Sequence, residues 1–427
     1  MMKSTGTFLT ALLFPFLLLA QLQPDKVYSP SIRTVKLFPQ NDQLALPVIA
    51  LNSADQLELH FDDLVGYARN YFYTYQLCNA DWSEAQWGPF DYIRGFQQNR
   101  ISQYRISSVA QVPYVHYQAM LPERNAVPSR SGNYLLKVYA DGDLSRVVFT
   151  KRFYVADQQT NIGARFQQPF DNQISRTHQK IQLVVNVPQL QMITPQQFKT
   201  VILQNGRWDD AAVNIQPAFI RGSVMEFNAE QDCIFAGGKE YRWADLQSFR
   251  FESDRVEQID RSTVPVQIFI KPDRVRSGLQ YLYYRDRNGF SDIKTTDAVN
   301  PWWQSDYAEV LFSFVPEKGQ YLAGKKVYLV GELTGNQIGD SSLMQYDPGK
   351  QMYTKKLLLK QGYYSYAYVT RDMADPAAKS DPSQTEGNAW ETENTYTVLV
   401  YYRSMGGRHD ELIGYSNINN FNLQYQR

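Results

Sequence analysis

Period-two alternation runs through this chain from end to end, and it confines most of the backbone to strands. Leu57, Leu59 and Phe61 alternate with Glu58, His60 and Asp62. Tyr134, Leu136 and Val138 share one face, as do Ile181, Leu183, Val185 and Val187, and then Val264, Val266, Ile268 and Ile270. The pattern returns around 310–314, 327–330, 357–359, 363–369 and 396–402. Successive strand side chains point to opposite faces, so such runs bury one face and wet the other. They are short, rich in β-branched and aromatic residues, and bounded by turns such as Ser131-Gly132-Asn133 and Asp141-Gly142-Asp143. No stretch carries three turns of amphipathic helix; short helical turns fit only near 80–90 and 195–200. The 30 tyrosines suit strands, where the ring is buried and the hydroxyl stays wet. The fold class that follows is all-β, with three consecutive immunoglobulin-like β-sandwich domains.

The boundaries come from breaks in the alternation. Residues 1–20 read as a signal peptide: Lys3 precedes an apolar run over 8–20 that is too short to span a bilayer, and Ala20–Gln21 is the expected cleavage point. The polar stretch at 156–164 and the irregular one at 292–304 then divide the rest into 21–157, 158–304 and 305–427, each of sandwich size. A transmembrane barrel would need longer strands with an uninterrupted lipid-facing row. Lys137, Lys151, Arg152, Lys355 and Lys356 interrupt these runs, which favours domains in water.

The chain offers little for chemistry. Its 43 basic and 43 acidic side chains balance, and the basic excess that nucleic-acid binding requires is missing. His60, His116, His178 and His409 are the four histidines, none at metal-ligand spacing from another, and Cys78 and Cys233 lack the neighbours of a zinc site. No Gly-x-Ser-x-Gly elbow, P-loop or dinucleotide fingerprint occurs. Asp62-Asp63 is an adjacent pair facing opposite ways, better placed at a strand end than across a substrate. The expectation is a protein without catalytic residues, metal or cofactor. Trp82 and Trp87, in the loop after the strand ending at Cys78, and Trp302-Trp303, in the second irregular stretch, are the candidate partner-binding residues. Large rings in loops bury area at little entropic cost.

Several strings resemble one family. Leu77-Cys78-Asn79-Ala80-Asp81-Trp82, the run from Ser131 through Tyr139, Leu203-Gln204-Asn205-Gly206-Arg207-Trp208-Asp209, and Glu391-Thr392-Glu393-Asn394 leading into 396–403 are similar, in order, to the type IX secretion system plug proteins. The resemblance spans the mature chain. It implies a non-enzymatic periplasmic protein at the inner face of the outer membrane. Such a protein associates with the large translocon β-barrel and blocks its channel from the periplasmic side. No contact residue carries over with it. A second resemblance, over 326–333, 352–359 and 362–366, is to glycogen-binding, early-set immunoglobulin-like modules. Those modules stack sugars on a Trp that 334–338 lacks, and Trp390 is the only later one. The alternative function is therefore a periplasmic or surface carbohydrate-binding protein.

Overall fold

The computed structural model describes residues 22–189, 194–230, 233–375 and 377–421; the expected signal peptide lies outside them. The alternating runs are strands, except that Val264 lies exposed ahead of the strand Val266–Ile270, and no helix of seven residues occurs among the described residues. The α-helical turn Pro89–Tyr92 overlaps the end of the first expected window and the 3-10 turn Pro195–Gln197 lies inside the second, while two further 3-10 turns, Glu317–Gly319 and Glu332–Thr334, fall outside both.

The first sandwich pairs Ile32–Pro39, Leu57–Asp63, Val115–Leu121 and Gln103–Ile106 in one sheet. Its second sheet orders Val48–Ala50, Val147–Ala156, Gly132–Ala140, Tyr71–Cys78 and Asn99–Arg100. Leu57, Leu59 and Phe61 meet Tyr73, Tyr75, Tyr134, Leu136 and Val138 in one core, as the alternation requires. Gly132–Ala140 is buried on both faces, because Leu135 packs outward into an apolar layer with Val201, Leu399 and Leu412 of the next sandwich.

The remaining chain departs from the expected division. The second sandwich faces a sheet of Asn161–Gln167, His178–Asn186, Val224–Phe227 and Phe219–Arg221 onto a sheet ordered Ala212–Ile215, Phe198–Gln204, Thr395–Tyr402 and Glu411–Asn419. Half of that second sheet comes from the end of the chain. Phe198 pairs with Tyr402 and Gln204 with Tyr396, and Ile202, Val398 and Ile413 share one core with Ile181 and Val185. The third sandwich is built from the intervening residues: Arg242–Asp245, Lys325–Val330 and Tyr363–Asp372 on one side, Val256–Asp260, Val266–Ile270, Tyr307–Val315 and Met352–Lys360 on the other. The cut between 304 and 305 thus falls inside the third sandwich, and the third sandwich is inserted within the second. Alternation is a local property, whereas pairing across nearly two hundred residues leaves no local mark.

The chain enters and leaves the insert side by side. Ala389 N–H donates to Gly238 O at 3.0 Å, and Gly238 N–H to Asn388 Oδ1 at 2.9 Å. A Cβ on Gly237 would lie 2.0 Å from Ala389 O, so only glycine permits the two segments to cross there. Beyond the crossing, Glu386 is buried and ion-paired to Arg242 at 2.9 Å and Arg276 at 2.7 Å. Burial raises its carboxyl pKa, and the two guanidinium groups more than reverse that.

Candidate functional site

The junction between the first and third sandwiches is polar and dry. Asp62 leaves the strand Leu57–Asp63 on the face opposite Phe61 and is fully buried. It accepts from His116 Nδ1 at 2.7 Å, from the Tyr307 hydroxyl at 2.5 Å and from Lys360 Nζ at 2.5 Å. His116 belongs to the first sandwich; Tyr307 and Lys360 belong to the third. His60 Nδ1 lies 3.0 Å from His116 Nε2, and its Nε2 lies 3.1 Å from Glu58 Oε2. Trp302 stacks flat on His60 with centroids 3.8 Å apart, and Lys360 sits 4.2 Å above the Tyr114 ring. A second bridge runs from Lys36 to Glu332 at 2.6 Å and to Ser291 O at 2.8 Å. The polar face that the sequence assigns to water, Glu58, His60 and Asp62, is thus covered by another sandwich. Asp63 points the other way, to Arg69 and Tyr71.

Burial drives the charge states here. It pushes the His116 imidazole down to about 4, against the pull of Asp62. It also lowers His60. Burial would raise Asp62, but Lys360 and His116 hold it below the usual carboxylate range. The Asp62–His116 pair has the first two members of a hydrolytic triad. His116 Nε2, however, meets His60 rather than a hydroxyl nucleophile, so this arrangement has no attacking group. Its chemistry is cohesion. Among the described residues no group of three His, Cys, Asp or Glu is placed to hold a metal ion.

The junction between the first and second sandwiches is equally specific. Asn133 accepts from the Tyr401 hydroxyl at 2.7 Å and donates to Asn79 O at 3.1 Å. Asp410 accepts from Ala80 N–H at 3.0 Å, Lys199 at 2.9 Å and Arg403 at 2.8 Å. Gly132 sits at φ +148°, and a Cβ there would press on Leu77 Cδ1 at 3.0 Å and Asp410 O at 3.3 Å. The strings around Asn79, Asn133, Trp208 and 396–403, which carry the family resemblance, therefore converge on one seam.

The four candidate tryptophans fall at these junctions. Trp82 is 8% exposed, edge-on to Trp208 at 5.4 Å and under Arg152 at 4.8 Å. Trp87 is half-buried, held between Arg130 and Arg408, and donates to His409 Nδ1 at 3.0 Å. Trp302 packs between the sandwiches, while Trp303 lies half-buried beside Arg105. Trp390, the ring a sugar reading depends on, packs against the core of the second sandwich. What the sequence missed is Asp62, Lys360, Asn133 and Asp410. Buried charged residues look like surface ones in a single sequence, and only the alternation of His60 and Asp62 with large apolar neighbours hints at a second buried face.

A cleft of about 500 Å³ opens where the three sandwiches meet, lined by Leu46, Asn205, Arg285, Asp286, Glu393 and Asn417 among others. Burial pushes the Asp286 carboxyl up to about 7. Two carboxylates on one cleft are what a glycan hydrolase would require. Both are already engaged: Asp286 accepts from the backbone of Tyr241 and Asn288, and Glu393 from the side chains of Asn288 and Asn419.

The protein is a set of β-sandwiches bound to one another by buried ion pairs and a shared apolar layer. Residues 32–157 match the family described as type 9 secretion system plug protein, 1st domain. A crystal structure of a hypothetical protein from Parabacteroides merdae ATCC 43184 is similar over 92% of this chain and 98% of its own, at 31% identity and a TM-score of 0.88. No curated protein matches the chain. The first sandwich is thus a plug-protein first domain, a match that supports the type IX secretion system plug family and a role associated with type IX secretion.

Proposed function

We propose that the protein is a periplasmic subunit, seated at the inner face of the outer membrane, that closes the channel of the type IX translocon barrel when no cargo is in transit. The mechanism is steric. A plug must resist deformation, and the observation that carries this reading is the pair of buried polar junctions, centred on Asp62–Lys360 and on Asn133–Tyr401, that tie three sandwiches into one block. Buried ionic contacts specify one relative arrangement at a cost in desolvation, a role suited to holding orientation. The match of the first sandwich to the plug-protein family supplies the secretion context.

In this reading Trp87 and Trp303 reach the partner from the rims of the junctions, and Trp82 and Trp302 support them from beneath. Affinity purification of the tagged protein from outer-membrane extracts tests the association. Recovery of a very large barrel is expected, and reduced recovery for Trp87→Ala with Trp303→Ala. Cells lacking the protein should admit large antibiotics, and unchanged permeability would remove the sealing role.

A further inference from the structure

One edge of the first sandwich is open. Gln103–Ile106 is the outermost strand of its sheet and pairs only with Val115–Leu121 among the described residues; all four of its residues are exposed. Ser107 N–H donates to Tyr114 O at 2.9 Å, which fixes the alternation along the strand. In an antiparallel pair, Gln103 and Arg105 turn their backbone groups toward the neighbour, and Tyr104 and Ile106 turn theirs away from it. The next outward N–H, that of Ser108, already donates to Trp303 O at 2.9 Å. The edge therefore accepts a chain alongside it where the third sandwich supplies one, and its two preceding positions are vacant.

Edge strands in water are usually protected by short length, charged side chains, Pro or a bulge. Gln103–Ile106 is short and carries the exposed Arg105, but no Lys, Pro or bulge stands between 103 and 106. Instead Tyr104 and Ile106 present rings and methyls on one face, Ile106 being 64% exposed. Val109, 82% exposed, holds a left-handed φ of 62°, an unfavourable conformation for a β-branched residue. The loop that strains it is pinned by Asp306, which accepts from Gln111 N–H at 2.9 Å and Val112 N–H at 3.1 Å. The strand itself carries one charge, Arg105, whose guanidinium lies 5.6 Å from the Trp303 ring centroid. From Tyr92 to Pro122 the chain carries Arg94, Arg100 and Arg105, all exposed, and no carboxylate.

We infer that the Gln103–Ile106 edge is a docking site for an extended segment of a different protein, which adds one strand to the sheet. The segment alternates apolar residues, set against Tyr104 and Ile106, with acidic residues set against Arg105. Backbone hydrogen bonds give such strand addition its affinity, and the alternate side chains give it specificity. The inference concerns the chemistry of the segment and holds whichever protein supplies it.

The test uses the full chain in its own cells, with a photoreactive phenylalanine analogue replacing Tyr104. The crosslinked peptide, sequenced by mass spectrometry, should come from another protein and carry net negative charge with alternating apolar residues. Arg105→Glu should cut the yield roughly tenfold. Ile106→Pro, which removes an outward donor that the sheet itself does not use, should abolish it. If Ile106→Pro fails to fold, Arg105→Glu alone decides. No crosslink, a crosslink to a second copy of this chain, a neutral or basic peptide, or a yield indifferent to Arg105→Glu would each overturn the inference.

Discussion

Lys360 of the third sandwich donates to Asp62 of the first at 2.5 Å, with both side chains cut off from solvent. The two residues lie far apart in sequence, and together with Tyr307 and His116 they fix how the two sandwiches meet. Removing one partner strands a charge in a dry site. Lys360→Met should therefore destabilise the fold by about 3–5 kcal/mol, whereas Lys360→Met with Asp62→Leu should recover much of the loss. Urea denaturation of the two variants checks this, and equal losses would show that the pair does not act as a unit.

Stability should fall on mild acidification. His116 is held near 4 in the folded chain, against about 6.5 when unfolded. Between those values the unfolded chain binds a proton that the folded chain does not, so stability drops as pH falls from about 6.5 to about 4. The loss is on the order of 3 kcal/mol. Asp62, whose folded pKa is depressed, keeps its contribution above its unfolded value and loses it at still lower pH. Melting temperatures across this range should slope for the native chain and slope less steeply for His116→Gln, since His60, His178 and His409 are also lowered and keep part of the dependence.

The seam between the first and second sandwiches rests on a neutral pair. Tyr401→Phe leaves Asn133 Oδ1 buried without the donor it now has at 2.7 Å, at a cost of about 1–3 kcal/mol. Asn133→Asp should cost more, since it turns an oxygen toward the Asn79 carbonyl in place of the amide. Thermal melts rank the two variants.

The insertion makes a prediction about fragments. Residues 238–387 hold a complete core, from Ala244 through Tyr368, and should fold alone into a cooperative β domain. A chain ended at residue 304 lacks Thr395–Tyr402 and Glu411–Asn419 and should leave the second sandwich unfolded. Circular dichroism and amide exchange on both fragments distinguish this architecture from three domains in series.

How far the sequence reveals these things depends on range. Leu57, Leu59 and Phe61 declare their strand and their inward face, because alternation is written in neighbouring residues. The partnership of Phe198 with Tyr402 is not, since either strand could pair elsewhere with the same pattern. His60 and Asp62 read as a wet face until a second sandwich is laid over them. Trp82 and Trp302 stand out as large rings in loops, yet nothing local says that Tyr154 and Trp208 enclose the first or that His60 lies flat against the second. The family strings mark the seam at Asn133 and Asp410 without saying what it joins.

The channel itself offers the most direct test of the plug reading. Purified type IX translocon in a planar bilayer should conduct strongly when stripped of this protein and close when it is added back. Lys360→Met, with its junction loosened, should close it less completely. Conductance unchanged by saturating amounts of the folded native protein would contradict the account.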